Sequence, residues 1–156
     1  MKSCFFTGHR NVKITDELSA KLTNELIKLI ESGVSCFYAG GAVGWDMLCE
    51  KKVIELKKLY PHIKLHLLLP CPHKQQTEKW DKKQISEFYK LLKAADSSEI
   101  LSNEYTEDCM KKRNLKLAES SEVALCYCNK NRRRSGTSQT VIMAEKRGVK
   151  IINLYY

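Results

Sequence analysis

The feature that most constrains the fold is an alternation. Short apolar runs rich in Phe, Val, Ile and Leu are separated by longer segments whose apolar residues recur with helical period. The runs read as strands at Ser3 to Phe6, Ser35 to Ala39, Ile63 to Leu69, Glu99 to Leu101, Glu122 to Tyr127 and Val149 to Leu154. Between them lie five helical segments. The first starts at Thr15 or Asp16, a good N-cap, carries Leu18, Leu22, Leu26 and Leu29 on one face, and stops at Gly33. The second aligns Trp45, Leu48, Cys49, Val53 and Leu56 and ends before Pro61; the third aligns Ile85, Phe88, Tyr89 and Leu92. The fourth spans Glu107 to Ala118, and the fifth Ser138 to Arg147, with Val141 and Ala144 inward and Gly148 as its stop. An unbroken β-α-β order predicts an α/β fold: a Rossmann-like three-layer sandwich in which helices flank a mostly parallel sheet of five to six strands. At 156 residues, positions 1–156 make one domain with a sizeable core.

The opening apolar stretch is too short for a signal peptide and no run is long enough to cross a bilayer, so a cytoplasmic protein with no membrane partner is expected. The seven cysteines lie in apolar runs or helices rather than in turns, without a CxxC spacing. Reduced thiols, mostly in the core, are expected, and no metal site. The formal charge of +9 makes an anionic partner plausible without naming it, since most lysines fall on helix faces that water would cover anyway.

The two kinds of junction differ. Helix-to-strand junctions are plain, whereas strand-to-helix junctions carry clustered Gly, His, Arg, Asn and Asp. They read Thr7-Gly8-His9-Arg10; Gly40-Gly41-Ala42-Val43-Gly44-Trp45-Asp46; Pro70-Cys71-Pro72 through Gln76; and Asn129 to Arg134 followed by Ser135-Gly136-Thr137. A parallel sheet brings all of these to one edge, where open α/β folds bind ligands. Gly40, Gly41 and Gly44 at a helix start suggest backbone amides free to face a phosphate, with Gly136 and Thr137 as a second such junction. Arg10 suits phosphate by bidentate pairing, and His9 suits a donated or exchanged proton. Asp46 suits a ribose hydroxyl. Arg113 and Asn114 reach the same cleft if their helix has the expected register. Trp80 and Gln76 are either the wall of a base pocket or a core anchor. Neither GxGxxG after the first strand nor GxxxxGK[ST] is present.

These motifs, together with Tyr60-Pro61-His62-Ile63-Lys64-Leu65 running into Pro70-Cys71-Pro72, Tyr105, and Cys109-Met110-x-x-Arg113-Asn114, resemble the Smf/DprA-LOG (SLOG) superfamily, specifically its small stand-alone YpsA-like bacterial branch. The resemblance covers nearly the whole chain. It implies a Rossmann-like fold and a pocket for nucleotide-derived ligands such as NAD or ADP-ribose, without implying a settled reaction. Two positions depart from the branch: Glu119 stands where an Asp is usual, and Ser135 where the pattern has Gly. The related phosphoribohydrolases carry a glutamate shortly after their Gly-Thr pair, whereas here Gly136-Thr137 is followed by Ser138-Gln139-Thr140. Hydrolysis of an N-glycosidic bond would therefore need Asp46, Glu50 or Glu119 as its acid or base, with Arg113 on the phosphate.

Three functions follow in order. The first is a sensor or carrier of a nucleotide-like small molecule, held by Thr7, Gly8, His9, Arg10, Gly40, Gly41, Ala42, Gly44, Asp46, Pro70, Gln76, Trp80, Arg113, Asn114, Ser135, Gly136 and Thr137. The second is a hydrolase of the same ligand. The third ranks last and is single-stranded nucleic acid along Lys130, Arg132, Arg133, Arg134, Lys146 and Arg147. Self-association into a homo-oligomer is left open.

Overall fold

A computed structural model describes residues 2–155. The elements run β1 (Lys2–Gly8), α1 (Asp16–Glu31), β2 (Val34–Ala39), α2 (Trp45–Leu56), β3 (Lys64–Leu69), α3 (His73–Gln76), α4 (Lys82–Ala94), β4 (Ser97–Ile100), α5 (Cys109–Ser120), β5 (Val123–Tyr127), α6 (Gly136–Lys146) and β6 (Lys150–Asn153). Six strands form one sheet in the order β4-β3-β2-β1-β5-β6. Every neighbouring pair is parallel. Helices α1, α2 and α4 cover one face, and α5 and α6 the other, which gives the expected three-layer α/β sandwich.

Strand β1 lies in the middle of the sheet and is buried on both sides, as continuous apolar runs in parallel sheets are. Its alternation sorts the core. Cys4 and Phe6 point to the α1/α2/α4 side, where Phe6 stacks on Phe37 at 5.8 Å. Phe5 points to the other side, among Leu117, Ala118, Ala124 and Ala144. Helix α1 starts where its cap predicts, with Thr15 Oγ1 accepting the Leu18 N–H at 3.1 Å. Six of the seven cysteines are buried, Cys36 being the exception. No helix among the described residues is long and apolar enough to cross a membrane.

Five expectations shift. The one-turn α3 was read as loop, because a single turn is too short to show a helical period. Strand β4 occupies Ser97–Ile100 rather than Glu99 to Leu101. It is an exposed edge strand whose register comes from pairing with β3, so no buried face marked it in the sequence. Helix α5 lies two residues later at each end than Glu107 to Ala118, and α6 starts at Gly136 because Ser135 caps it. In α4 the buried stripe is Phe88 and Leu91, leaving Tyr89 exposed.

Trp45, at the start of α2, locks the layers together. It is fully buried, donates its indole N–H to the Leu125 carbonyl at 3.2 Å, and stacks on Tyr127 at 5.4 Å. Its ring lies so close to β1 that a Cβ on Gly8 would fall 2.4 Å from it. Gly8→Ala is therefore expected to cost about 1–3 kcal/mol through overpacking. Urea denaturation reads this as a lowered midpoint with an unchanged slope; an unchanged midpoint would show that Trp45 has room to move.

Candidate functional site

Strand order reverses at β1, which has β2 on one side and β5 on the other. Chains leaving a sheet there diverge and open a crevice at the strands' carboxyl ends. His9 ties the crevice together. Its N–H donates to the Tyr127 carbonyl at 3.2 Å, its carbonyl accepts the Trp45 N–H at 3.2 Å, and its Nε2 accepts the Asn129 N–H at 2.8 Å. An imidazole that accepts at Nε2 carries its proton on Nδ1. Burial, and then the charge of Arg132, lower the His9 pKa and keep the ring neutral. His9 is thus held as a strut, with its Nδ1–H as the remaining donor.

The loop between β2 and α2 is built around two buried carboxylates. Asp46 Oδ2 accepts the Gly40 N–H at 3.2 Å and the Ala42 N–H at 3.3 Å, and the Gly41 amide lies close enough to Glu50 to oppose part of the effect of its burial. On the opposite side the carbonyls point to donors. Arg113 Nη1 donates to the Gly40 carbonyl at 2.6 Å, and Gln76 Nε2 to the carbonyls of Gly40 and Gly41 at 3.4 and 3.3 Å. Two amides of the loop, those of Gly40 and Ala42, are thus spent on Asp46. The Gly40 amide is therefore not free for the phosphate role expected of it. Gly41 has φ +70, and a Cβ there would meet Leu69 at 2.7 Å. Gly44 has φ +85 and lies against the Arg10 carbonyl, where a Cβ would come within 2.2 Å. These glycines make a tight, inward-facing turn.

Asp46, Glu50 and Arg113 form one buried electrostatic group. Burial raises the Asp46 pKa, partly offset by Arg113 and the two amides. Burial and the neighbouring Asp46 push Glu50 well above the usual carboxylate range. Desolvation lowers the Arg113 pKa, opposed by Asp46. Arg113 also donates through Nε to Asn114 Oδ1 at 2.8 Å, so its guanidinium is held rather than free.

Above this loop lies a cavity of about 410 Å³, bordered by the β1 loop, α5 and the start of α6. Thr7, Gly8, His9, Arg10, Ala42, Asp46, Arg113, Asn114, Ser135, Gly136 and Thr137 all border it. Gly40, Gly41, Gly44, Pro70 and Glu50 do not, and Glu119 lies on the exposed side of α5. Gln76 and Trp80 line an adjacent cavity of about 540 Å³ instead. Asn11, Met110 and Arg132 border the first cavity without having been predicted there. Asn11 continues Thr7-Gly8-His9-Arg10, and Arg132 had been read as part of a nucleic-acid strip. Three arginines thus face one space whose single bordering carboxylate, Asp46, is engaged from behind.

Helix α6 aims its N-terminus into this space. Ser135 Oγ accepts the Ser138 N–H at 3.0 Å, and Ser138 Oγ donates to the Arg132 carbonyl at 2.6 Å, which fixes the arginine loop to the cap. The amides of Gly136 and Thr137 precede the first intrahelical bonds and have no intrahelical acceptor. Ser135 therefore supplies a helix cap with its hydroxyl, a contribution of about 0.5–2 kcal/mol that glycine would mostly keep through its backbone alone.

An all-parallel sheet with an arginine-lined crevice at its switch point defines a Rossmann-like protein. A family model described as the YspA SLOG family matches residues 4–153, and the chain belongs to that family. Among curated relatives, a UPF0398 protein of Halalkalibacterium halodurans is 29% identical over 92 residues, covering 59% of this chain and 46% of the relative. Another, from Brevibacillus brevis, is 35% identical over 71 residues, covering 46% of this chain and 36% of the relative. The matched segment thus spans less than half of either relative. Among solved structures, DNA processing protein A from Helicobacter pylori, described for its single-stranded DNA binding mode, superposes with TM-score 0.66 at 15% identity, covering 97% of this chain and 64% of that one. TM1055 superposes with TM-score 0.60 at 15% identity, covering 97% and 72%. At such identities the likeness establishes the fold.

The buried group makes a prediction with a definite sign. Unfolded Glu50 loses its proton near 4.5, whereas the folded chain holds it to higher pH. The stability linked to Glu50 is therefore complete below about pH 4.5 and is lost as pH rises through the folded pKa. Glu50→Gln has no proton to lose and keeps an acceptor for Gly41. Thermal unfolding should find the variant at least as stable as the wild type, by a margin that widens as pH rises above the ordinary glutamate range. A variant that loses ground with rising pH would mean that Glu50 is ionised in the fold.

Proposed function

We propose that this chain binds a phosphate-bearing, nucleotide-derived small molecule in the cleft over β1 and β5, as a sensor or carrier. The observation that carries the reading is the convergence of Arg10, Arg113 and Arg132 with the open amides of α6 on one cavity. Arg113 forms a charged floor, held to the Gly40 carbonyl, while Arg10 and Arg132 are exposed at the rim. A phosphate placed before Gly136 and Thr137 would meet the positive end of the helix and gain charge-assisted hydrogen bonds. Asp46 is a loop staple in this reading, in place of the ribose contact expected from sequence.

A second reading is single-stranded DNA. Arg132, Arg133 and Arg134 are exposed side by side at the mouth of the cleft, and the Helicobacter pylori relative in fold is described as binding such a strand. Contacts of that kind are ionic and fall steeply with salt, with a logarithmic slope of about −0.7 per phosphate contacted.

Gly136→Asp separates these readings from a folding defect. A Cβ at Gly136 has open space, its nearest neighbour being Asn114 Nδ2 at 3.9 Å, and an aspartate in the first turn of a helix is favourable. The variant should melt no lower than the wild type. A true ligand at about a hundred times its dissociation constant stabilises by roughly 2.7 kcal/mol. Thermal unfolding with AMP, NAD, ADP-ribose and a thymidine oligonucleotide should find that shift for a nucleotide in the wild type and lose it in Gly136→Asp. Should no nucleotide shift the wild type while the oligonucleotide does so only at low salt, the second reading replaces the first.

A further inference from the structure

The cavity of about 540 Å³ beside the arginine-lined one shares Arg10, Asn11 and Met110 with it, so the two are lobes of one groove. Their chemistry differs. The first lobe is faced by arginines; the second is walled by Trp80 and Tyr105, with carboxamides as its main polar groups. Trp80 is half-buried and held in edge contact with Phe88, ring centroids 5.6 Å apart.

Backbone contacts fix which end of each carboxamide is available. Gln84 Oε1 accepts the Asp81 N–H at 3.1 Å, closing the capping box of α4, and Gln75 Oε1 accepts the Tyr105 N–H. Both oxygens are engaged, so the amino groups remain as donors. Gln76 is reversed: its amino group serves the Gly40 and Gly41 carbonyls, and its Oε1 is buried without a partner. The lobe thus combines an aromatic wall, two amide donors and an unpaired amide acceptor. A nucleobase asks for that combination, having a π face for stacking and, at its edge, ring acceptors beside an exocyclic amine. A second phosphate is less well served than in the first lobe, because Glu78 borders this one and Arg10 is shared between the two.

We propose that this second lobe is a nucleobase subsite for an amino-bearing base such as adenine, whose nucleotide phosphate lies in the arginine-lined lobe. Trp80 stacks on the base, Gln75 and Gln84 donate to its ring acceptors, and Gln76 Oε1 takes the exocyclic amine. Arg10, at the join, lies beside the sugar-phosphate link. This inference rests on the phosphate reading above and extends it to the other half of the ligand.

The test is calorimetric titration of the full chain with AMP, IMP, ribose 5-phosphate and adenosine. AMP should bind at least about tenfold tighter than ribose 5-phosphate, as one stacked base contributes, and tighter than IMP, which lacks the amine. Trp80→Ala should remove the margin over ribose 5-phosphate without weakening ribose 5-phosphate itself, and Trp80→Phe should keep most of it. Wild-type fluorescence gives a readout independent of any variant. The chain has two tryptophans and Trp45 is fully buried, so AMP should change the emission of Trp80 and ribose 5-phosphate should not. Equal affinity for AMP and ribose 5-phosphate overturns the base subsite and leaves the phosphate reading standing. Adenosine binding as tightly as AMP, with the Trp80 signal, overturns the phosphate reading and supports the base subsite. Failure of all four compounds to bind overturns both.

Discussion

The cleft depends on the buried contact between Arg113 and the Gly40 carbonyl. A guanidinium with 6% of its surface exposed carries a large desolvation cost, which hydrogen bonds and opposite charge must offset. Here the offset comes from the Gly40 carbonyl, the Asn114 side chain and the field of Asp46. The same carboxylate draws in the amides of Gly40 and Ala42, so the charge that keeps Arg113 ionised also folds the loop that Arg113 pins. Removing any one partner leaves the others buried and unpaired. The loop, α2 and α5 are therefore held as one unit, although they come from distant parts of the chain.

That unit decides which charges a ligand would meet. Glu50 is driven toward its neutral form by burial and by Asp46, so the group holds one firm positive charge against one carboxylate that is already engaged. Nothing behind the cleft cancels Arg10 and Arg132 at its rim. With the amides at the start of α6 on the same side, the potential in the first lobe is positive from several directions and screened by low-dielectric walls. The second lobe has no lining residue from α6 and is bordered by Arg10, Lys79 and Glu78 together with carboxamides and aromatic rings, so the groove becomes less uniformly positive past Arg10 and Met110.

Much of this was legible in the sequence because it followed from periodicity. The apolar runs located β1, β2, β3 and β5, the leucine stripe located α1, and a parallel sheet required the Gly-, Arg- and Asn-rich junctions to meet at one edge. Direction was not legible. A Gly-Gly turn before a helix looks the same whether its amides face a ligand or the protein's own Asp46, and only the fold shows that Asp46 takes the amides of Gly40 and Ala42. Arg113 was found as a cleft residue, but its partner Gly40 is 73 positions away in sequence. Strand β4 and the single turn of α3 were missed or shifted because neither buries a periodic face of its own.

The same directional fact weighs between binding and bond cleavage. Hydrolysis at an anomeric carbon needs a carboxyl group that can reach the bond and change its protonation during the reaction. Of the three carboxylates that the sequence offered, Glu119 faces away, Glu50 does not border the cavity, and Asp46 borders it with Oδ2 accepting two amides. Proton transfer through Asp46 would loosen the turn that carries Ala42 to the cavity wall and weaken the field that keeps Arg113 charged. At the start of the second turn of α6, where the related hydrolases hold a glutamate, Thr140 is buried with its hydroxyl on the Gly136 carbonyl at 2.7 Å. Its role is to hold the helix start together. The one acidic group that borders the cleft is thus spent on the loop's own architecture.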